Sequence, residues 1–269
     1  MKLSFLPAFF IFAVFFYMPI LFILFYSFST RNLDSLSAVQ FFPPTLINYK
    51  NILNPLYFNV YIETVWIVCL TAIIMLVLAY SVAFFITSLP ATLKKIFLFC
   101  LIIPSFVGFI TKIYALFICF RPNGTLFPFL AKLNLLGSSG IVILGLLSIY
   151  LPFMTLPIFF DLDKIEKNLL QAATNLGATP WQILYKILWP LSRRGVATGL
   201  MASIPMFGEM AVIKMLGGDK TPFLGVLIGD TFMGGASPNW PFAAALTVCL
   251  ILTTSMSIFL LSRLQRRES

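Results

Sequence analysis

The side chains able to do chemistry are few in this sequence, and their spacing excludes most of it. There is no histidine, so the commonest general base and metal ligand is missing. The acids are Asp34, Glu63, Asp161, Asp163, Glu166, Glu209, Asp219, Asp230 and Glu268. Only Asp161 and Asp163 are close enough in sequence to suggest paired carboxylates for acid–base work. Asp163 has a simpler reading as a helix N-cap with Glu166 three residues later, the spacing of a capping box. Cys69, Cys100, Cys119 and Cys249 lie in or beside apolar runs with neither metal-ligand spacing nor a disulfide framework, and read as small apolar residues. Gly218-Asp219-Lys220-Thr221 lacks the glycine that precedes lysine in a phosphate-binding loop. The chain is therefore expected to be no enzyme, with no catalytic, cofactor-binding or metal-ligating residues. Two charges inside apolar runs still need a role, Lys112 and Glu209, the latter following Pro205-Met206-Phe207-Gly208. A charge near the centre of a bilayer costs about 2.5–3.5 kcal/mol on insertion scales, so it usually faces a cavity or a partner. Pairing with each other, snorkelling of Lys112 to the surface and a place on a transport path all remain open.

The elements that must carry these residues are membrane helices. Hydrophobic residues make up 60% of the 269, charged residues only 10%, and mean hydropathy is +0.99. In lipid every backbone group must bond within its own segment, so such a composition predicts an all-α polytopic membrane protein. A span needs about 20 apolar residues, and six are drawn, at roughly 5–28, 63–88, 96–119, 140–160, 195–214 and 241–261. The first is too long for a signal peptide and has no small-residue cleavage site after it, so it is kept as a helix. Pro19, Pro104, Pro152, Pro157 and Pro205 are expected to kink their spans. No internal repeat or linker is visible, and one transmembrane domain over residues 1–269 is expected.

Basic residues orient these spans. With the N-terminus inside, the cytoplasmic stretches hold Lys2, Lys94, Lys95, Lys164, Lys167, Lys186, Arg193, Arg194, Arg263, Arg266 and Arg267. The longer outer loops hold only Arg31, Lys50, Arg121, Lys132 and Lys220. Both termini and the 161–194 loop are thus expected in the cytoplasm. The net charge of +9 reads as this topology signal, with lipid and not nucleic acid as the surrounding partner.

The 161–194 loop predicts a helix, a sharp turn and a second helix. Ile165, Leu169, Ala172, Ala173 and Leu176 recur at helical spacing, and Gly177 can end that helix in the left-handed region. Thr179 then caps a second helix, with Pro180 at its first position and Gln182 completing a capping box. Ile183, Ile187 and Leu191 form its apolar stripe. Periodicity alone also fits an amphipathic hairpin resting on lipid.

Residues 166–190 resemble the cytoplasmic coupling loop of ABC-importer permeases. That loop carries an acid and two alanines, a glycine, then an aliphatic pair before a proline. Here Gln171 stands at the acid, with Ala172, Ala173, Gly177, Ile187, Leu188 and Pro190 at the other positions. Over nearly the whole chain, the segments around Asn48-Tyr49, Asn54–Phe58, Leu78–Phe84, Ile103-Pro104, Leu151–Pro157, Leu216–Gly218 and Trp240–Ala245 are similar in order to the B-type subunits of spermidine/putrescine importers. Ile213-Lys214 departs from the proline and acid of many relatives. The resemblance implies a type I importer permease, multi-pass in the bacterial inner membrane, forming half of a pore. It implies a heterodimer with a C-type permease, two ATPase subunits that bind ATP and Mg, and an extracytoplasmic binding protein. Gln171, Ala172, Ala173, Gly177 and Pro190 would couple to the ATPase, and Glu209 and Lys112 would be candidates for the solute path. Iron, thiamine, sulfate, molybdate and phosphate are alternative cargoes. An ion-driven secondary transporter would need polar clusters in paired, discontinuous repeats, which are not seen. A structural or assembly membrane protein is a third class.

Overall fold

A computed structural model describes residues 10–11, 13–31, 39–121, 135–218, 221–234 and 238–266. Helices dominate. After a π-helical turn at Ala13–Tyr17 come α1 (Met18–Ser27), α2 (Ile47–Ile52), α3 (Pro55–Ser88), α4 (Ala91–Phe106), α5 (Phe109–Phe120) and α6 (Ser139–Leu162). The chain continues with α7 (Lys167–Asn175), α8 (Pro180–Ile183), α9 (Trp189–Leu191), α10 (Arg193–Ala202), α11 (Leu224–Met233) and α12 (Trp240–Arg266). A minimal antiparallel ladder, β1 (Thr30–Arg31) with β2 (Val39–Gln40), pairs Thr30 with Gln40 and Arg31 with Val39.

Among the described residues, α3, α6 and α12 are each long and apolar enough to cross a membrane. α4 and α5 reach that length together but bend by 92° between them. The expected third span is therefore broken: Val107 and Gly108 are extended, with ψ 130° and 133°. The expected fifth span is broken as well. α10 stops at Ala202, a 3-10 turn follows at Ile204–Gly208, Glu209 is extended, and a π turn runs over Ile213–Gly217. Pro205 opens the 3-10 turn because it has no N–H to continue the preceding helix. α11 lies in the stretch 215–240 that was expected to be an outer loop without a helix: it is apolar but too short to be read as a span.

The residues form two compact units. The first comprises residues 1–64 and 222–253. Its core is Ile52, Leu224, Phe242, Ala245 and Leu246, with Tyr49, Tyr57 and Tyr61 packed against it. Buried polar groups close the helix ends that this core meets. Asn48 donates its side-chain amide to the carbonyls of Ser27 (3.0 Å) and Ser29 (2.8 Å) at the end of α1. The buried Thr64 hydroxyl accepts the Leu224 N–H at 2.8 Å, satisfying a donor that the start of α11 leaves open.

The second unit comprises residues 65–221 and 254–269, with α6 at its centre, more than half buried. α10 lies against α6 through Gly195 and Gly199. A Cβ on Gly195 would stand 2.5 Å from the Pro157 carbonyl oxygen, and one on Gly199 would stand 2.9 Å from that of Met154. Small residues four apart let two membrane helices approach this closely. Gly145 and Gly217 do the same where α6 meets residues 212–217.

Candidate functional site

The segment from α7 to α9 forms the hairpin that the sequence suggests. α7 ends in a Schellman arrangement: Ala178 N–H donates to Ala173 O (3.0 Å) and Gly177 N–H to Thr174 O (2.9 Å). The motif requires a left-handed residue at its bend, and Gly177 has φ +82°. A Cβ there would meet nothing within 4 Å, so the demand is conformational rather than steric. The second helix starts as expected. Thr179 accepts Gln182 N–H, Gln182 Oε1 accepts Thr179 N–H at 2.9 Å, and Pro180 opens the first turn.

Two expectations for this loop are corrected. Asp163 does not cap α7. It is the C-cap of α6, and its carboxylate pairs with Lys94, while Glu166 is the N-cap residue of α7 without a side-chain bond. α6 runs longer than its apolar stretch suggested, which pulls Asp163 into its end. There the lysine offsets a charge that the helix dipole disfavours. The stripe Ile183, Ile187 and Leu191 also slips. Residues Leu184–Leu188 form a π turn, which takes one residue more than an α turn. Leu188 and Ser192 become the buried positions, and Leu191 is 52% exposed. Ser192 then meets the Tyr80 hydroxyl at 3.0 Å.

The residues singled out for coupling sit on one hairpin. Gln171 and Ala172 are exposed, Ala173 is half-buried and Gly177 lies at the bend. Pro190 is half-buried and, with Asp161, Ile165, Leu169, Leu191 and Arg194, lines an open groove of about 600 Å³. The hairpin also presents large apolar side chains outward, with Leu176 88%, Trp181 75% and Tyr185 72% exposed. These three side chains leave the hairpin with an uncovered apolar surface.

Glu209 and Lys112 are not brought together: no ion pair joins them. Glu209 is half-buried at the break after the 3-10 turn. Its Oε2 accepts the Tyr150 hydroxyl and its Oε1 the Ala211 N–H, each at 3.2 Å. The carboxylate thus closes the start of the next helical segment, where backbone donors favour negative charge. The sequence reading missed Tyr150, whose place on α6 becomes meaningful only once α6 meets residue 209. Lys112 lines a separate open groove with Pro104, Val107, Thr111 and Ser148. Among the described residues, no group of three or more Cys, Asp or Glu could hold a metal.

The arrangement matches known proteins at every level compared. The chain is 33% identical over 261 residues to the spermidine/putrescine transport system permease protein PotB of Escherichia coli K12, covering 94% of this chain and 93% of that one. It has the same identity and coverage of this chain with PotB of Salmonella typhimurium SL1344, 89% of which is matched. A crystal structure of a bacterial ABC transporter that imports the acidic polysaccharide alginate superposes with a TM-score of 0.74. It is 15% identical, with 98% of this chain and 94% of that one covered, and so bears on fold. Residues 75–268 match the family described as the binding-protein-dependent transport system inner membrane component. With an exposed Schellman-capped hairpin, broken apolar helices and that match over most of its length, the chain belongs to the family of inner membrane components of binding-protein-dependent transport systems.

Proposed function

We propose that this chain is one of two different permease subunits in an ATP-driven importer whose solute is spermidine or putrescine. It acts as one membrane domain over residues 1–269, crosses the bilayer six times and keeps both termini and the α7–α9 hairpin in the cytoplasm. The second permease completes the pore, and two copies of a separate ATPase bind ATP and Mg and hydrolyse it. An extracytoplasmic binding protein delivers the solute. Closure of the ATPases moves the hairpin at Gln171, Ala172, Ala173, Gly177 and Pro190, and the pore turns outward. The observation that carries the coupling role is the hairpin itself, rigidly capped at Gly177 and Thr179 yet exposing Leu176, Trp181 and Tyr185. The solute class is supported by what the relatives at 33% identity are named for.

Glu209 gives the solute reading a physical basis. A polyamine carries several positive charges, and a low-dielectric passage is costly for them unless a fixed negative charge lies on the way. Glu209 is an acid in the apolar region, held by two donors at a helix break. The test is ATP-dependent uptake of labelled spermidine and putrescine by the assembled complex. Glu209→Gln keeps the shape and removes the charge, and uptake is expected to fall at least about tenfold with assembly unchanged. Wild-type rates in that variant would make Glu209 structural. A wild-type complex that moves an anion and no polyamine would overturn the solute assignment.

A further inference from the structure

Tyr150 and Glu209 meet from two elements. Tyr150 stands on α6, and Glu209 at the extended break that follows the 3-10 turn. An ionised carboxylate can only accept, so the Tyr150 hydroxyl commits its one proton to Glu209 Oε2, 3.2 Å away. The phenol oxygen is left with acceptor lone pairs and no donor. A carboxylate has about four acceptor sites, and Tyr150 and the Ala211 N–H take two of those on Glu209. Among the described residues, no lysine or arginine pairs with it. Both side chains are half-buried, and Pro205 and Gly208 of the same break are exposed, so the chain itself does not seal the pair. Two oxygens 3.2 Å apart thus present acceptors alone, one of them charged, at a gap between helical segments.

That pattern selects a chemical class. A pair that only accepts suits a cation that carries N–H donors. A charged N–H···O bond is about 2.7–2.9 Å long, so one nitrogen can reach both oxygens across a 3.2 Å base. A metal ion such as calcium takes about six to eight oxygens, and no group of three or more Cys, Asp or Glu that could hold a metal occurs among the described residues. A quaternary ammonium brings charge but no N–H. We propose that Tyr150 is a solute ligand as well as a support for Glu209: its hydroxyl oxygen and the Glu209 carboxylate together accept N–H bonds from one protonated amine of the cargo. The proposal rests on the reading above that Glu209 lies on the solute path. It adds a selectivity that the fixed charge does not supply, because Coulomb attraction depends on charge and distance and not on N–H groups.

The test measures equilibrium binding to the purified, assembled complex in nanodiscs of zwitterionic lipid, without its binding protein or nucleotide. The probes are labelled spermidine and fully N-methylated spermidine of equal charge. Wild type is expected to hold spermidine at least about tenfold more tightly than the methylated form, the effect of one hydrogen bond to a charged group. Tyr150→Phe keeps the ring and leaves the Glu209 charge in place. It should weaken spermidine about tenfold and hold the methylated form within about twofold of wild type, so the preference shrinks by the difference. Glu209→Gln should weaken both. A wild-type complex that transports spermidine with its binding protein yet shows no preference between the probes, or binds neither, overturns the proposal without any variant. Equal weakening of both probes by Tyr150→Phe, or unchanged spermidine binding, also overturns it, the first by reducing Tyr150 to a support for the carboxylate. If the wild-type complex takes up no polyamine, or if Glu209→Gln transports at the wild-type rate, the reading of Glu209 fails first and takes this inference with it.

Discussion

At the scale of single residues, two side-chain positions carry separable demands. Gly177 is constrained by backbone angle alone, with φ +82° and open space where a side chain would go. Gly177→Val adds a β-branched side chain in a region that costs about 1–3 kcal/mol for such residues. The protein should still reach the membrane at wild-type level, while ATP-dependent uptake collapses and ATP hydrolysis is either lost or no longer linked to transport. Near-normal uptake would remove the hairpin from the coupling mechanism. Asn48 presents the opposite case, buried and donating to two carbonyls at the end of α1. Asn48→Ala leaves those acceptors without a donor and should destabilise the protein by about 1–3 kcal/mol, seen as a lower unfolding temperature in detergent. Gly177, Thr179, Pro180 and Gln182 were legible in the sequence because their partners lie within five residues of them. Asn48, Thr64 and Tyr150 were not, because each bonds a group 19 to 160 residues away, and no local pattern encodes such a meeting.

At the scale of elements, the apolar runs located three of the six expected spans as single long helices and missed the breaks in two others, while the first expected span, 5–28, lies partly outside the described residues. Hydropathy measures length and composition, so it places α3, α6 and α12 well. It is blind to the bend at Val107-Gly108 and to the extended Glu209, where backbone angles change without a change in polarity. The α6–α10 contact was readable in principle from Gly195 and Gly199, four residues apart on one helix face, but a composition pass treats both as ordinary span residues. Their contact makes a graded prediction. Gly195→Ala forces a Cβ to within 2.5 Å of the Pro157 carbonyl oxygen and 2.9 Å of its carbon, whereas Gly199→Ala meets the Met154 oxygen at 2.9 Å and a side-chain carbon at 3.0 Å. Overpacking of this kind typically costs about 1–3 kcal/mol. Gly195→Ala should therefore lower folded yield and thermal stability, and more than Gly199→Ala does. Equal stability of both variants and wild type would show that α6 and α10 separate freely. The Lys94–Asp163 pair predicts the reverse. Its side chains are 20% and 38% exposed, and a partly exposed ion pair contributes about 0–1 kcal/mol, so Lys94→Ala should leave thermal stability almost unchanged.

At the scale of the whole molecule, the distribution of lysine and arginine makes the sided prediction. Single cysteines at Asn168 and Asn123, in a background without the native cysteines, should label from opposite sides of the membrane. Asn168 is exposed on α7, and Asn123 lies outside the described residues. Modification of the Asn168 cysteine by an impermeant reagent on intact cells would invert the map. Packing, unlike sidedness, depends on each helix keeping its phase, because one residue removed from an α-helix turns everything beyond it by about 100°. The π turn at Leu184–Leu188 escapes this rule. Ile183, Leu188 and Ser192 are spaced by five and then four residues, and deleting Tyr185 leaves both intervals at four. Trp189, Pro190 and Ser192 are then expected to keep their orientation, and the Tyr80–Ser192 hydrogen bond is expected to survive. The chain thus carries, inside its hairpin, a place where its length can change by one residue between related sequences while the helix beyond it stays in phase.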